Sequence, residues 1–281
     1  SQFFNVTSGQ IEETYKSEKD AGDIFAMQDA VADEVGKLLL ARFAFTLETP
    51  AARRGTENEE AYRLYLQGMY FYDRRTGLDA RKAVETMEQV VQLDPNYAQA
   101  WAGKAHAHRT VANFVSSNIH GEYQKSIEAI NKALELDKNL SEAHSALCEN
   151  KMYYEYDFAG AERECKRAIE LKPNSAVAHN SYSRYLASRG RFDEAIAEIK
   201  TAIDLDPTSF FNQLVYMICL TYARRYDEAV RQLERIAEMN PNNADWYFWL
   251  VGGALTMQGT DSENFERLMR FQALAKTDEE T

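Results

Sequence analysis

Five short segments recur along this chain in the same setting: LDPN at 93–96, LDKN at 136–139, LKPN at 171–174, LDPT at 205–208 and MNPN at 239–242. They place Pro95, Lys138, Pro173, Pro207 and Pro241 in one column, with steps of 34 between the last three and 35 from Lys138 to Pro173. Twelve positions before that column stand Ala83, Ser126, Ala161, Ala195 and Ala229, and five before it Val90, Ala133, Ala168, Ala202 and Ile236. Small residues at fixed helical positions let two helices approach closely, and a proline after the second helix turns the chain. Each unit therefore reads as a helix-turn-helix whose apolar face needs a neighbour to cover it.

A 34-residue period with these columns resembles the tetratricopeptide repeat. The cleanest copy is AVAHNSYSRYLASRGRFDEAIAEIKTAIDLDP, with Gly190 at the turn and Phe192 and Ala195 opening the second helix. The spacing predicts five repeats, at 58–95, 96–138, 139–173, 174–207 and 208–241, and a sixth, capping helix pair to 276. The fold class expected is all-α, a right-handed α-solenoid. TENE at 56–59 reads as a capping box, with Thr56 capping and Glu59 reaching back. The longer second repeat is expected to extend its first helix and then loop to Gly121.

The N-terminal region is organised differently. SQFFNVTSGQIEETYK reads as a β-hairpin around Ser8 and Gly9, and DIFAMQDAVADEV places Ile24, Val31 and Val35 on one face of an amphipathic helix. An isolated two-stranded hairpin is marginal in water. The expected organisation is hairpin and helix over 1–45, a linker over 46–57, the repeat array over 58–276 and a tail over 277–281.

DIFAMQDAVADEV, ENEEAYRLYLQGMYFYDRRT, the long second repeat and the segment from Tyr156 to Ile199 together resemble a bacterial family of modular signalling proteins. In that family a tetratricopeptide array follows a small α/β domain similar to the N-terminal domain of TolB. Further upstream lies a winged-helix, adenylyl cyclase or kinase output domain. The resemblance implies that the hairpin is the tail of a larger sheet. It also implies that the array is a regulatory protein-interaction module. A free-standing scaffold that self-associates through the hairpin edge is the alternative, since an exposed edge can recruit another chain.

Projecting the helical register of the first helices gives candidate groove residues. They are Tyr65, Met69 and Tyr72 in repeat one, His106 and Arg109 in repeat two, and Glu149 and Met152 in repeat three. Asn180 and Arg184 follow in repeat four, and Phe211, Leu214 and Ile218 in repeat five. Such a groove, aromatic at both ends and polar in the middle, suits an extended peptide or an amphipathic helix.

The chain has 281 residues and a net charge of −12, which argues against a phosphate-backbone partner and for a basic or apolar protein partner. No apolar run approaches the roughly 18 residues of a membrane span. The sequence leaves the compartment open, with a cytoplasmic location favoured unless a membrane span precedes this segment. Cys148, Cys165 and Cys219, with no CxxC, read as reduced buried thiols. His106 and His108 diverge on a helix and do not make a metal pair, and His144 and His179 share the packed column of Trp101. HExxH, GxxxxGK[ST] and GxSxG are missing, so neither catalysis nor a cofactor is expected.

Overall fold

The structure is a computed structural model that describes the backbone of residues 2–4, 11–14 and 54–239, with the side chains of 54–239 except those of 234 and 237–239. Contacts divide the chain into two units, Ser1–Arg63 and Leu64–Thr281. In the first unit, strands β1 (Gln2–Phe4) and β2 (Ile11–Thr14) pair antiparallel, with Gln2 opposite Thr14, Phe3 opposite Glu13 and Phe4 opposite Ile11. The expected turn at Ser8 and Gly9, the helix after residue 20, the sixth helix pair and the tail lie outside the described residues.

Among the described residues ten helices follow in five pairs. They are α1 (Glu59–Arg74) with α2 (Gly77–Leu93), α3 (Ala98–Phe114) with α4 (Ile119–Leu136), and α5 (Ser141–Asn150) with α6 (Phe158–Leu171). Then come α7 (Ala176–Ser188) with α8 (Phe192–Leu205) and α9 (Phe210–Tyr222) with α10 (Tyr226–Met239). Both small-residue columns are buried throughout: Ala83, Ser126, Ala161, Ala195 and Ala229 are 0% exposed, as are Val90, Ala133, Ala168, Ala202 and Ile236. Close helix approach, at the positions where no side chain stands in the way, is thus the common packing device of the units.

The proline column makes one turn four times over. In three copies an aspartate side chain accepts from the amide two residues on: Asp94 from Asn96 at 3.1 Å, Asp137 from Asn139 at 2.9 Å and Asp206 from Thr208 at 3.3 Å. The carbonyls of Asp94, Asp137, Lys172 and Asp206 each accept from the amide three residues on. Lys138 keeps the turn without a proline because the aspartate before it supplies the local bond.

Local structure departs from the sequence expectation in three places. Helix α1 is capped by Asn58, whose side chain accepts from the amide of Ala61 at 3.0 Å, while Thr56 accepts from Asn58. Asparagine caps as well as threonine, and the later start puts Glu59 and Glu60 in the first turn, where the helix dipole favours them. The extra length of repeat two goes into helix on both sides, and Gly121 lies in the first turn of α4. There the Asn118 side chain folds onto the Gly121 amide at 3.1 Å, so close that a Cβ at Gly121 would sit 2.4 Å from the Asn118 amide nitrogen. The 35-residue step is absorbed by a π-helical turn, Lys151–Glu155, at the end of α5. Its closing bond runs from Asp157 N to Lys151 O, six residues, where repeats four and five close over five, Arg191 to Leu186 and Arg225 to Leu220. One inserted residue has become one wider turn.

Cys148 and Cys165 form a disulfide, with Cα atoms 5.2 Å apart. This corrects the expectation of reduced thiols: α5 and α6 bring the two cysteines together across 17 residues. Such bonds persist in oxidising compartments and are reduced elsewhere. Cys219 is free and buried, and burial pushes its thiol up to about 11, which leaves it protonated and inert at neutral pH.

Candidate functional site

The column six residues after the proline position ties repeats two, three and four to the turns before them. Trp101 donates its ring nitrogen to the Pro95 carbonyl at 2.9 Å, and the ring nitrogens of His144 and His179 reach the carbonyls of Lys138 at 3.1 Å and Pro173 at 2.9 Å. The opposite nitrogen of each histidine meets a carboxylate on the second helix of its repeat, Glu164 at 2.7 Å and Glu198 at 2.6 Å. These histidines are structural fasteners, as their column suggested. Among the described residues no cluster of His, Cys, Asp and Glu could hold a metal ion, and no helix is long and apolar enough to cross a membrane.

The candidate groove residues converge on the space where the first helices of the five pairs meet. Glu149 on α5 is at its centre, 1% exposed. Its carboxylate meets Arg109 of α3 at 2.5 Å, Arg184 of α7 at 2.6 Å, His106 at 3.3 Å and the Ser181 hydroxyl at 2.9 Å. Burial opposes its charge, but Arg109 and Arg184, helped by His106, hold it well below the usual carboxylate range. One carboxylate thus joins repeats two, three and four. Asn180 bonds Asn212 at 2.8 Å, which joins repeats four and five.

The first and fifth repeats also touch, and this alters the groove expected from the register. Asp73, at the end of α1, accepts from the Ser209 hydroxyl at 2.5 Å and from the amides of Phe210 at 2.8 Å and Phe211 at 3.3 Å. It caps a helix that begins 137 positions later in the sequence. The guanidinium of Arg75 stacks on Tyr72 at 3.9 Å and on Phe211 at 3.3 Å, and these two rings are 6.1 Å apart. The two aromatic ends expected to flank a polar middle therefore meet.

Two openings border Phe211 on this inner face. The larger, about 690 Å³, is bordered by Met69, Tyr72, Glu149, Asn180 and Phe211 among the candidates. The smaller, about 300 Å³, is bordered by Arg109, Arg184, Phe211, Leu214 and Ile218. His106 and Met152 are buried beneath, and Tyr65 packs on Tyr97 at 5.1 Å. The register brought the right helices inward, yet Tyr72, His106, Arg109, Glu149, Met152, Asn180 and Leu214 are buried by their own neighbours. Sequence reasoning missed Asp73 and Arg75. Asp73 lies one position off the projected stripe and Arg75 sits in the turn after α1, with φ of 58°, where helical register no longer applies.

A family model described as tetratricopeptide repeat matches residues 153–210 and 220–263. The chain carries tetratricopeptide repeats. The solved structure of the APC/C hetero-tetramer Cut9-Hcn1 shares the fold, with a TM-score of 0.54 at 15% identity, over 89% of this chain and 50% of that one. PilW, a type IV pilus biogenesis factor, aligns at TM-score 0.49 and 16% identity over 78% of this chain and 94% of its own. YrrB, a tetratricopeptide-repeat protein with an unusual peptide-binding site, aligns at 0.42 and 17% over 70% and 100%. No curated protein sequence matches the chain. Tetratricopeptide repeats are interaction modules, and their stacked first helices are the elements that converge in this structure.

Proposed function

We propose that this array is the protein-interaction module of a larger bacterial signalling or transcriptional regulator, and that it takes a peptide or helix in the larger opening. The opening itself carries the reading. Between α1 and the starts of α7 and α9 lies about 690 Å³ of space, floored by Met69, Tyr72 and Phe211 and edged by Asp73 and Asn180. Two large apolar side chains stand exposed at its border, Leu66 at 36% and Tyr70 at 56%. An apolar floor with a few polar groups at its rim suits a protein segment with apolar anchors. The wider regulatory role rests on the resemblance of the residues quoted above to modular signalling proteins.

The test is affinity capture with the 281-residue chain as bait beside a Leu66→Asp, Tyr70→Asp variant. Both positions are exposed or nearly so, so the circular dichroism spectrum should stay unchanged while partners are lost. Partners that persist in the double variant refute the site. Recovery of the chain alone, with a concentration-dependent mass in light scattering, would turn the reading to self-association.

A further inference from the structure

The smaller opening presents a different chemistry. Arg75, Arg109 and Arg184 all border it, and Glu149 is the carboxylate that Arg109 and Arg184 share. Arg75 is 5% exposed, and its hydrogen bond goes to the Thr110 hydroxyl at 2.8 Å. Its Nε and Nη2, and the Nη2 of Arg109, have no hydrogen-bond partner among the described residues. Burial pushes the Arg75 guanidinium down to about 10, and the nearby charges of Arg109 and Arg184 act in the same direction, against the opposing pull of Tyr72 and Glu149. A buried cation is costly unless a counter-charge meets it. Among the described residues no carboxylate hydrogen-bonds to Arg75: Asp73 and Glu149 feel its charge at longer range, and both are held by other donors.

Asn113 and Ser188 also border the opening, and most of the remaining wall is apolar. Leu214, Val215 and Ile218 of α9 line it, and Phe114 and Tyr222, 41% and 55% exposed, stand at its edge. We propose that this pocket binds a small carboxylate with an apolar body, the carboxylate completing the charge of Arg75 and Arg109 and the body lying against α9. At about 30 Å³ per water-sized group, about 300 Å³ holds on the order of ten non-hydrogen atoms, the size of a branched aliphatic or single-ring aromatic acid. Arginine favours this class because its fork matches a carboxylate in two parallel bonds. The site is separate from the protein-binding opening, with Phe211 as the shared wall, and stands whether or not that reading holds.

Titration calorimetry of the full chain with phenylacetate and 4-methylpentanoate, each beside its primary amide, tests the proposal. At least one acid should bind about tenfold or more tighter than its amide, since only the acid brings a charge to the arginines. Ile218→Trp, which fills the pocket and leaves every arginine in place, should abolish binding. Arg75→Gln should remove the preference for acid over amide. Equal binding of acid and amide, no binding of either acid, or binding that survives Ile218→Trp overturns the site. The comparison of acid with amide on the unaltered chain needs no variant to fold.

Discussion

The turn inside a repeat asks one residue to take a left-handed backbone: Arg75 does so in repeat one, and repeats three, four and five place a different residue at one shared position. Gly190 does so at φ 74°, Tyr156 at 57° and Arg224 at 59°, each 17 positions before its proline column. Glycine adopts this region without steric cost, whereas a side chain pays about 1–2 kcal/mol. Nothing lies within 4 Å of a Cβ placed on Gly190, so the backbone alone sets the cost there. Gly190→Ala should therefore destabilise by about 1 kcal/mol, and Arg224→Gly, at an exposed position, should stabilise by about the same. Urea midpoints of the two variants check both signs. A Gly190→Ala midpoint equal to that of the parent would mean that the turn relaxes to negative φ.

At the scale of an element, the histidine column gives a pH dependence of definite sign. The Glu198 carboxylate beside His179, against partial burial and with help from the Pro173 carbonyl, raises the imidazole pKa above its ordinary 6.5. A raised histidine contributes stability that is complete below the unfolded value and lost as pH rises through the folded one. Thermal melts of the parent and His179→Gln should thus differ most below the ordinary imidazole value and converge as pH rises through the raised one. A difference that grows with pH would contradict the charged pair. His108 runs the other way, because burial lowers its pKa against the pull of Glu122, so protonating it in acid costs stability.

For the whole array, the informative contact is the longest in sequence. Repeat units stacked in one dimension touch their neighbours alone, and their stability is then a sum of local terms. Asp73 breaks that rule by holding the first turn of α9 through one hydroxyl and two amides. Its carboxyl is partly buried, and burial raises its pKa despite those bonds. Asp73→Ala should cost about 1–3 kcal/mol, the range for losing a cap and leaving polar groups unmet. The loss should appear as faster hydrogen exchange at the amides of Phe210 and Phe211, far along the chain from the substitution. Exchange unchanged at those amides would mean that Ser209, which already accepts from Asn212 at 3.1 Å, caps α9 unaided.

Periodicity in the sequence determined the fold class, the pairing of helices, the buried small-residue columns and the helices that supply the inner face. Each of these follows from local geometry repeated at a fixed interval: 3.6 residues per turn, a small residue where helices cross and a turn where the proline stands. Tertiary structure alone decided what that inner face became. The disulfide between α5 and α6, the three-repeat bond at Glu149 and the meeting of Asp73 and Arg75 with α9 join residues that no period relates. Small differences in how successive pairs stack add up over five repeats, and only their sum determines whether the inner faces of repeats one and five stay apart or touch. Here they touch, and a groove legible in the register becomes two openings on either side of Phe211.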